Sequence, residues 1–244
     1  MLARIRAGEG RRLLSSDEFD AQVASVAALG EPIRRELYRY VVAQDGPVGR
    51  EQAAAGVGVA HHVAKFHLDK LEADGLLEAE YSRPPGRSGP GAGRPAKLYR
   101  RASRDIEVSL PGRRYDLAGR VMAEAITAAQ QGIPLADALR DAARDAGRML
   151  GERALRAAEA PADPEDAVSE VLAESGYEPR VTAGGVTLAN CPFHSLAETY
   201  TDLVCGMNLD LIDGLLDVLR PADLHARLDP APGRCCVTIG KFSN

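Results

Sequence analysis

No regular element can run unbroken through residues 82–96, whose sequence SRPPGRSGPGAGRPA places four Pro and four Gly among fifteen residues. Proline lacks the backbone donor that helices and sheet interiors need, and glycine loses more conformational freedom than any other residue when held in an element. The stretch has to be a tip between elements, and its flanks say which kind. Leu76-Leu77-Glu78-Ala79 before it and Lys97-Leu98-Tyr99 after it have strand character, so a β-hairpin with a long tip is expected.

Upstream of the hairpin the patterning is helical. A helix is predicted from Ser16-Asp17 toward Leu29, with Phe19, Val23 and Val26 at helical spacing, and a second from Glu31 to Ala43 on Ile33, Leu37, Tyr40 and Val41. A short helix follows from Arg50 to Ala55, then the turn Gly56-Val57-Gly58, then a longer helix from Ala60 to Asp74. Short helix, turn, longer helix, strand, tip, strand is the order of a winged helix-turn-helix, in which the second helix enters the major groove and the hairpin touches the flanking backbone. In that second helix Ala60, Ala64, His67, Leu68 and Leu71 form a core-facing stripe. His61, His62, Lys65, Phe66 and Asp69 fall on the other side, where His61, His62 and Lys65 supply the donors that a groove requires. His67 is expected to be packed.

The charge distribution agrees. The net charge is −5, yet residues 1–104 hold 17 Lys/Arg against 13 Asp/Glu, while residues 105–244 hold 13 against 22. A cationic first half suits a polyanionic partner. No acid occurs from 81 to 104, and Arg83, Arg87, Arg94 and Lys97 lie there as candidate phosphate or minor-groove contacts. Arg50, opening the bracing helix, is a further candidate for a backbone phosphate. No stretch approaches the roughly 18 apolar residues of a membrane span. The first thirty residues carry Arg4, Arg6, Arg11 and Arg12 but no apolar block. A cytoplasmic protein without a membrane partner is expected.

The second half reads as helices followed by a small α+β unit. Tyr115 to Gln131 and Leu135 to Glu159 are Ala-rich helical stretches, candidates either for a core or for packing across a dimer. Pro164 opens a helix to Glu174. Arg180 to Ala189 has strand or hairpin alternation about Gly184-Gly185, Met207 to Leu219 is amphipathic, and Leu224 to Leu228 and Cys235 to Ile239 are candidate strands. The expected fold is α+β and mainly helical: a winged helix-turn-helix domain over 1–104, a linker over 105–113 around Pro111-Gly112, and a sensor and dimerisation domain over 114–244.

All four cysteines, Cys191, Cys205, Cys235 and Cys236, lie in that last domain. Behind a DNA-binding half, a metal or redox role gains over disulfides. Cys191 sits in the turn-like Asn190-Cys191-Pro192-Phe193-His194, and Cys205 just ahead of the helix predicted from Met207, whose dipole favours thiolate. Neighbours in a strand point to opposite faces, so Cys235 is the expected ligand of its pair unless the backbone turns there. Cys236, His194 or an exogenous group then completes the set. There is no C-x-x-C spacing of a zinc ribbon. Thiolates suit an iron–sulfur cluster or zinc equally by softness.

HLDKLEADGLL at 67–77 followed by GRSGPGAGRPAKLYRR at 86–101 resembles the ArsR-type winged-helix regulators, over residues 30–101. The resemblance implies a homodimer on an inverted-repeat operator in double-stranded DNA. With NCPFHSLAETYTDLVCGMN and GRCCVTI added, the chain resembles over 30–239 the iron–sulfur repressors of the Suf cluster-assembly operon. It implies a redox sensor whose C-terminal thiolates, here Cys191, Cys205 and Cys235, hold a cluster (2Fe–2S or 4Fe–4S) that sets operator affinity. A winged-helix regulator with structural zinc and a small effector is the alternative, and a metal-containing redox protein that does not bind DNA is another. An enzyme is not expected: no Ser/His/Asp order, phosphate-cradling Gly loop or H-E-x-x-H is present.

Overall fold

The computed structural model describes residues 16–82, 95–157, 164–182, 185–221 and 224–241. The described residues divide into two compact units, one up to Val108 and the other from Ser109 onward. The fold is α+β and mostly helical.

In the first unit α1 (Ser16–Ala28) precedes α2 (Pro32–Val42). The start of α2 is set locally: the Glu31 carboxylate accepts from the backbone N–H of Ile33 at 3.1 Å and of Arg34 at 2.6 Å, and Pro32 supplies a first-turn residue without a donor to waste. β1 (Val48–Gly49), α3 (Arg50–Val57) and α4 (His61–Ala73) follow. Gly58 ends α3 with φ +76°, a left-handed cap that costs a glycine nothing, and the N–H groups of Gly58 and Val59 both return to Ala54 O. That cap turns the chain into α4. β2 (Leu77–Ser82) and β3 (Ala96–Arg101) then pair antiparallel, and β1 adds to the far side of β3, giving the order β1-β3-β2. Leu37, Val41, Val48, Ala53, Ala64, Leu68, Leu71, Leu77 and Tyr99 fill the core beneath.

Two expectations change in this unit. The strand β1 is too short to leave a periodic signal and exists because Val48 is fully buried opposite Tyr99. Ala60, assigned to the core stripe of the second helix, is instead its exposed N-cap residue with extended backbone.

The second unit runs α5 (Tyr115–Gln130), α6 (Leu135–Ala157), α7 (Pro164–Glu174), β4 (Pro179–Thr182), β5 (Gly185–Leu188), α8 (His194–Thr199), α9 (Thr201–Leu219), β6 (His225–Leu228) and β7 (Val237–Gly240). Its sheet is antiparallel throughout with the order β4-β5-β7-β6. The helix α9 is amphipathic, with Asp202, Asp210, Asp213 and Asp217 along one side, and buries Val204, Met207, Leu211, Ile212 and Leu215, each worth about 1.5–3 kcal/mol of apolar transfer. Its main helical partner is α6, and the two backbones touch. A Cβ on Gly147 of α6 would lie 1.9 Å from Leu211 O, and one on Gly214 of α9 would lie 2.1 Å from Arg144 O. The Ala-rich helices α5 and α6 therefore do core work along their inner faces, through Leu117, Ala118, Val121, Ala125, Ala138 and Ala143.

Three boundaries differ from expectation, all around the cysteines. Helix α9 begins at Thr201, six residues before Met207, so Cys205 lies in its second turn rather than ahead of its N-terminus. The short helix α8 has no counterpart in the sequence reading. The last strand starts at Val237, which leaves Cys235 and Cys236 in the bend before it. Among the described residues no helix is long and apolar enough to cross a membrane.

Candidate functional site

On α4, His61, His62, Lys65 and Phe66 are all exposed, and Phe66 presents two-thirds of its surface to solvent. The opposite side carries Ala64, Leu68 and Leu71 into the core. His67 is largely buried, its ring edge-on to Phe66 at 5.1 Å between centroids and its Nδ1 3.6 Å from the Glu31 carboxylate. An exposed aromatic beside one cationic and two imidazole donors is a surface with polar and apolar handles for base edges. Arg83, Arg87 and Arg94 lie outside the described residues.

Arg50 and Lys97 are placed differently from the free phosphate contacts expected of them. Both side chains are mostly buried and converge on Asp69. Arg50 donates to Asp69 at 2.8 Å and to the Tyr99 hydroxyl at 2.9 Å; Lys97 donates to Asp69 at 2.8 Å and to Glu72; Tyr99 donates to Asp69 at 2.6 Å. The start of α3, the middle of α4 and the strand β3 are thereby tied at one carboxylate. Burial would raise the Asp69 pKa, but the bonds from Lys97, Tyr99 and Arg50 overcome it and hold the group at about 2. Burial, reinforced by Asp69, pushes Tyr99 up to about 12. Neither cation was separable from a phosphate ligand in the sequence, because their acidic partners are 19 to 28 residues away along the chain.

The depressed Asp69 pKa has a signed consequence. Its folded-state value lies below the ordinary 3.8, so its stabilisation is present above about pH 4 and is lost as the pH falls toward about 2. Asp69→Asn is expected to be less stable than the parent at pH 7, with the gap closing across that window. Urea midpoints measured from pH 2 to pH 5 check it; a gap independent of pH would show that the charge is not what matters.

In the second unit all four cysteines come together. Cys191, Cys205, Cys235 and Cys236 line one cavity of about 200 Å³, with His194, Glu198, Thr201 and Arg234 also on its wall. Three different local structures deliver the thiols. Cys191 follows β5 in the loop leading to α8, and Cys205 comes from α9. Cys235 and Cys236 come from the bend held between β5 and β6 by Cys235 N–H to Leu188 O at 2.9 Å and Asp229 N–H to Cys236 O at 2.7 Å. Because this bend is not a strand, the alternation that would separate Cys235 from Cys236 does not operate, and both face the cavity. Cys191, Cys205 and Cys235 are buried and Cys236 is partly exposed.

Cys235 is the electrostatic centre of the group. Hydrogen bonds from the thiols of Cys191 and Cys236, with the Val237 N–H and the Asn208 amide, favour its thiolate, while the same thiolate pushes the Cys191 and Cys236 thiols up. His194 stands at the rim, more than half exposed, with Nε2 3.4 Å from the Glu198 carboxylate. Arg234, also on the wall, pairs with Asp229 at 2.8 Å. Among the described residues no three His, Cys, Asp and Glu side chains form a ready-made set for a single metal ion.

Two supporting groups carried no sequence signal. Asn208, without exposed surface, donates to Cys235 Sγ at 3.2 Å and accepts from the Tyr177 hydroxyl at 2.5 Å. The Cys191 loop, in turn, is bonded to the segment that enters this unit: Arg113 Nη1 donates to Asn190 Oδ1 at 2.5 Å and to Cys191 O at 3.2 Å, and Arg114 N–H donates to Pro192 O at 3.1 Å.

Residues 29–80 match the helix-turn-helix domain family, a span that holds α2, α3, α4 and most of β2. No curated protein and no solved structure matches the chain.

Proposed function

We propose that a chain with this helix-turn-helix domain is a transcription regulator that binds operator DNA through α4, and that its affinity is set by an iron–sulfur cluster in the four-thiol cavity. The observation that carries the reading is the convergence of every cysteine in the chain on one cavity. Soft thiolates are the ligands that iron–sulfur chemistry selects. Cys191, Cys205 and Cys235 would hold the cluster, with Cys236 or His194 as the remaining donor. Bound there, the cluster supplies a centre whose charge and integrity respond to oxidants.

On the DNA side, His61, His62, Lys65 and Phe66 are the residues for groove contact. Arg50 and Lys97 hold α3, α4 and the wing base in register through Asp69, and Arg83, Arg87 and Arg94 are assigned to phosphate by composition alone. A dimer on an inverted repeat matches the two-fold logic of such modules. The alternative is structural zinc on the same thiols, whose softness suits either.

Anaerobic purification with iron, sulfide and zinc analysis separates the two: visible absorbance with iron and sulfide supports the cluster, and stoichiometric zinc in colourless protein rejects it. Lys65→Ala is expected to weaken binding to an operator duplex and to relax its discrimination against altered base pairs, at unchanged metal content. Unaltered affinity and discrimination would remove α4 from the DNA face.

A further inference from the structure

Asn208 occupies a place where apolar side chains surround it. Its neighbours along α9, Met207, Leu211 and Ile212, are buried, and it has no exposed surface itself. Burying an amide is unfavourable unless both of its ends are satisfied. Here they are, and in one orientation only. The Tyr177 hydroxyl is fully buried, and desolvation raises its pKa well above the ordinary value, so it keeps its proton. That proton is donated to Asn208 Oδ1 at 2.5 Å, which fixes the amide and turns Nδ2 toward Cys235 Sγ at 3.2 Å. Tyr177 is itself held: its ring packs edge-on against Phe193 at 6.4 Å, two residues beyond Cys191, and its carbonyl accepts from Asn190 N–H at 2.9 Å.

We infer that Asn208 is a positioning residue for the metal centre: its amide, locked by Tyr177, hydrogen-bonds the Cys235 sulfur and sets the reduction potential and retention of the cluster bound there. The inference rests on the cluster reading and deepens it. A sulfur that accepts an N–H donates less electron density to iron, so the more electron-rich, reduced state is favoured. Removing the donor moves the potential negative. Outer partners of ligands also stabilise the bound metal, commonly by a factor of about 10 to 100.

The experiment uses the whole chain, reconstituted anaerobically with ferrous iron and sulfide, and follows visible absorbance in a redox titration and in the presence of an iron chelator. Asn208→Leu is expected to keep its colour, titrate at a more negative potential and lose the chromophore about tenfold faster. Asn208→Asp keeps an acceptor for Tyr177 but loses the donor, and shifts in the same direction. Tyr177→Phe leaves the amide in place but unlocked, with a smaller shift of the same sign. Coloured variants that share the parent's potential and chelation rate overturn the role of Asn208 alone. Should Asn208→Leu take up no cluster, Tyr177→Phe decides, and an unmoved potential there overturns the inference. A colourless parent protein sinks the cluster reading first and this role with it.

Discussion

Cys235→Ser should leave a folded protein without visible absorbance after anaerobic reconstitution with iron and sulfide, while Cys236→Ser keeps at least part of the colour. The difference follows from where the two thiols stand. Cys235 is almost completely buried, and its sulfur accepts from the Asn208 amide at 3.2 Å, a bond that favours the thiolate a metal needs. Cys236 is partly exposed on the cavity wall. Serine conserves shape and the option of accepting from Asn208, so the fold is expected to survive by circular dichroism. Iron and sulfide content per chain is the accompanying measurement. Full colour in Cys235→Ser would strike it from the ligand set and move the centre of the site to Cys191 and Cys205.

Legibility in the sequence followed the range of the interaction that fixes each feature. The helix-turn-helix was readable because α4 alternates buried Ala64, Leu68 and Leu71 with exposed His61, His62 and Lys65 within one helix, and because Gly58 marks the turn locally. The hairpin was readable from the composition of its tip. Readable too was the suspicion that distant thiols meet, since four cysteines crowd the last quarter of the chain. The backbone at Cys235-Cys236 was not, because β-propensity in Cys-Cys-Val-Thr-Ile carries the strand two residues too early. Hydrogen bonds to Leu188 and Asp229 from opposite sides of that pair decide the bend. Likewise the charge pattern made Arg50 and Lys97 look free. Tertiary pairing with Asp69 assigns them, and no periodicity records an ion pair across so long a loop. Asn208 looks like any polar residue in an amphipathic helix until Tyr177 and Cys235 are seen on either side of it.

Arg113→Ala is expected to leave the chromophore intact and to collapse the difference in operator affinity between cluster-bound and cluster-free protein. Coupling of this type is worth about 1–3 kcal/mol, a ratio of roughly 5 to 150, which should fall toward unity. The chain leaves the helix-turn-helix unit at Val108 and within six residues is bonded to the loop that presents Cys191. Asn190 is the hinge of that contact. Its Oδ1 accepts from Arg113, and its Nδ2 donates to Gly112 O at 2.9 Å and to Gly176 O at 2.5 Å, so one side chain joins the incoming segment to the turn after α7. Any displacement of Cys191 on loss of the proposed cluster would be carried by Asn190 and Pro192, and both are held by residues 112–114. Removing the guanidinium frees Asn190 Oδ1 and leaves Cys191 O with the His194 N–H, without touching a thiol. Arg148→Ala serves as the control, because it removes an arginine whose partners, Asp145 and Asp217, lie on the α6–α9 flank, and should preserve the ratio. Anisotropy of a labelled operator duplex, titrated with both forms of each variant at fixed salt, gives the ratios directly. If Arg113→Ala and Asn190→Ala both keep the parent ratio, the signal does not travel through this strap. The close-packed α6 and α9, whose backbones meet at Gly147 and Gly214, then become the route by which Cys205 would report its state.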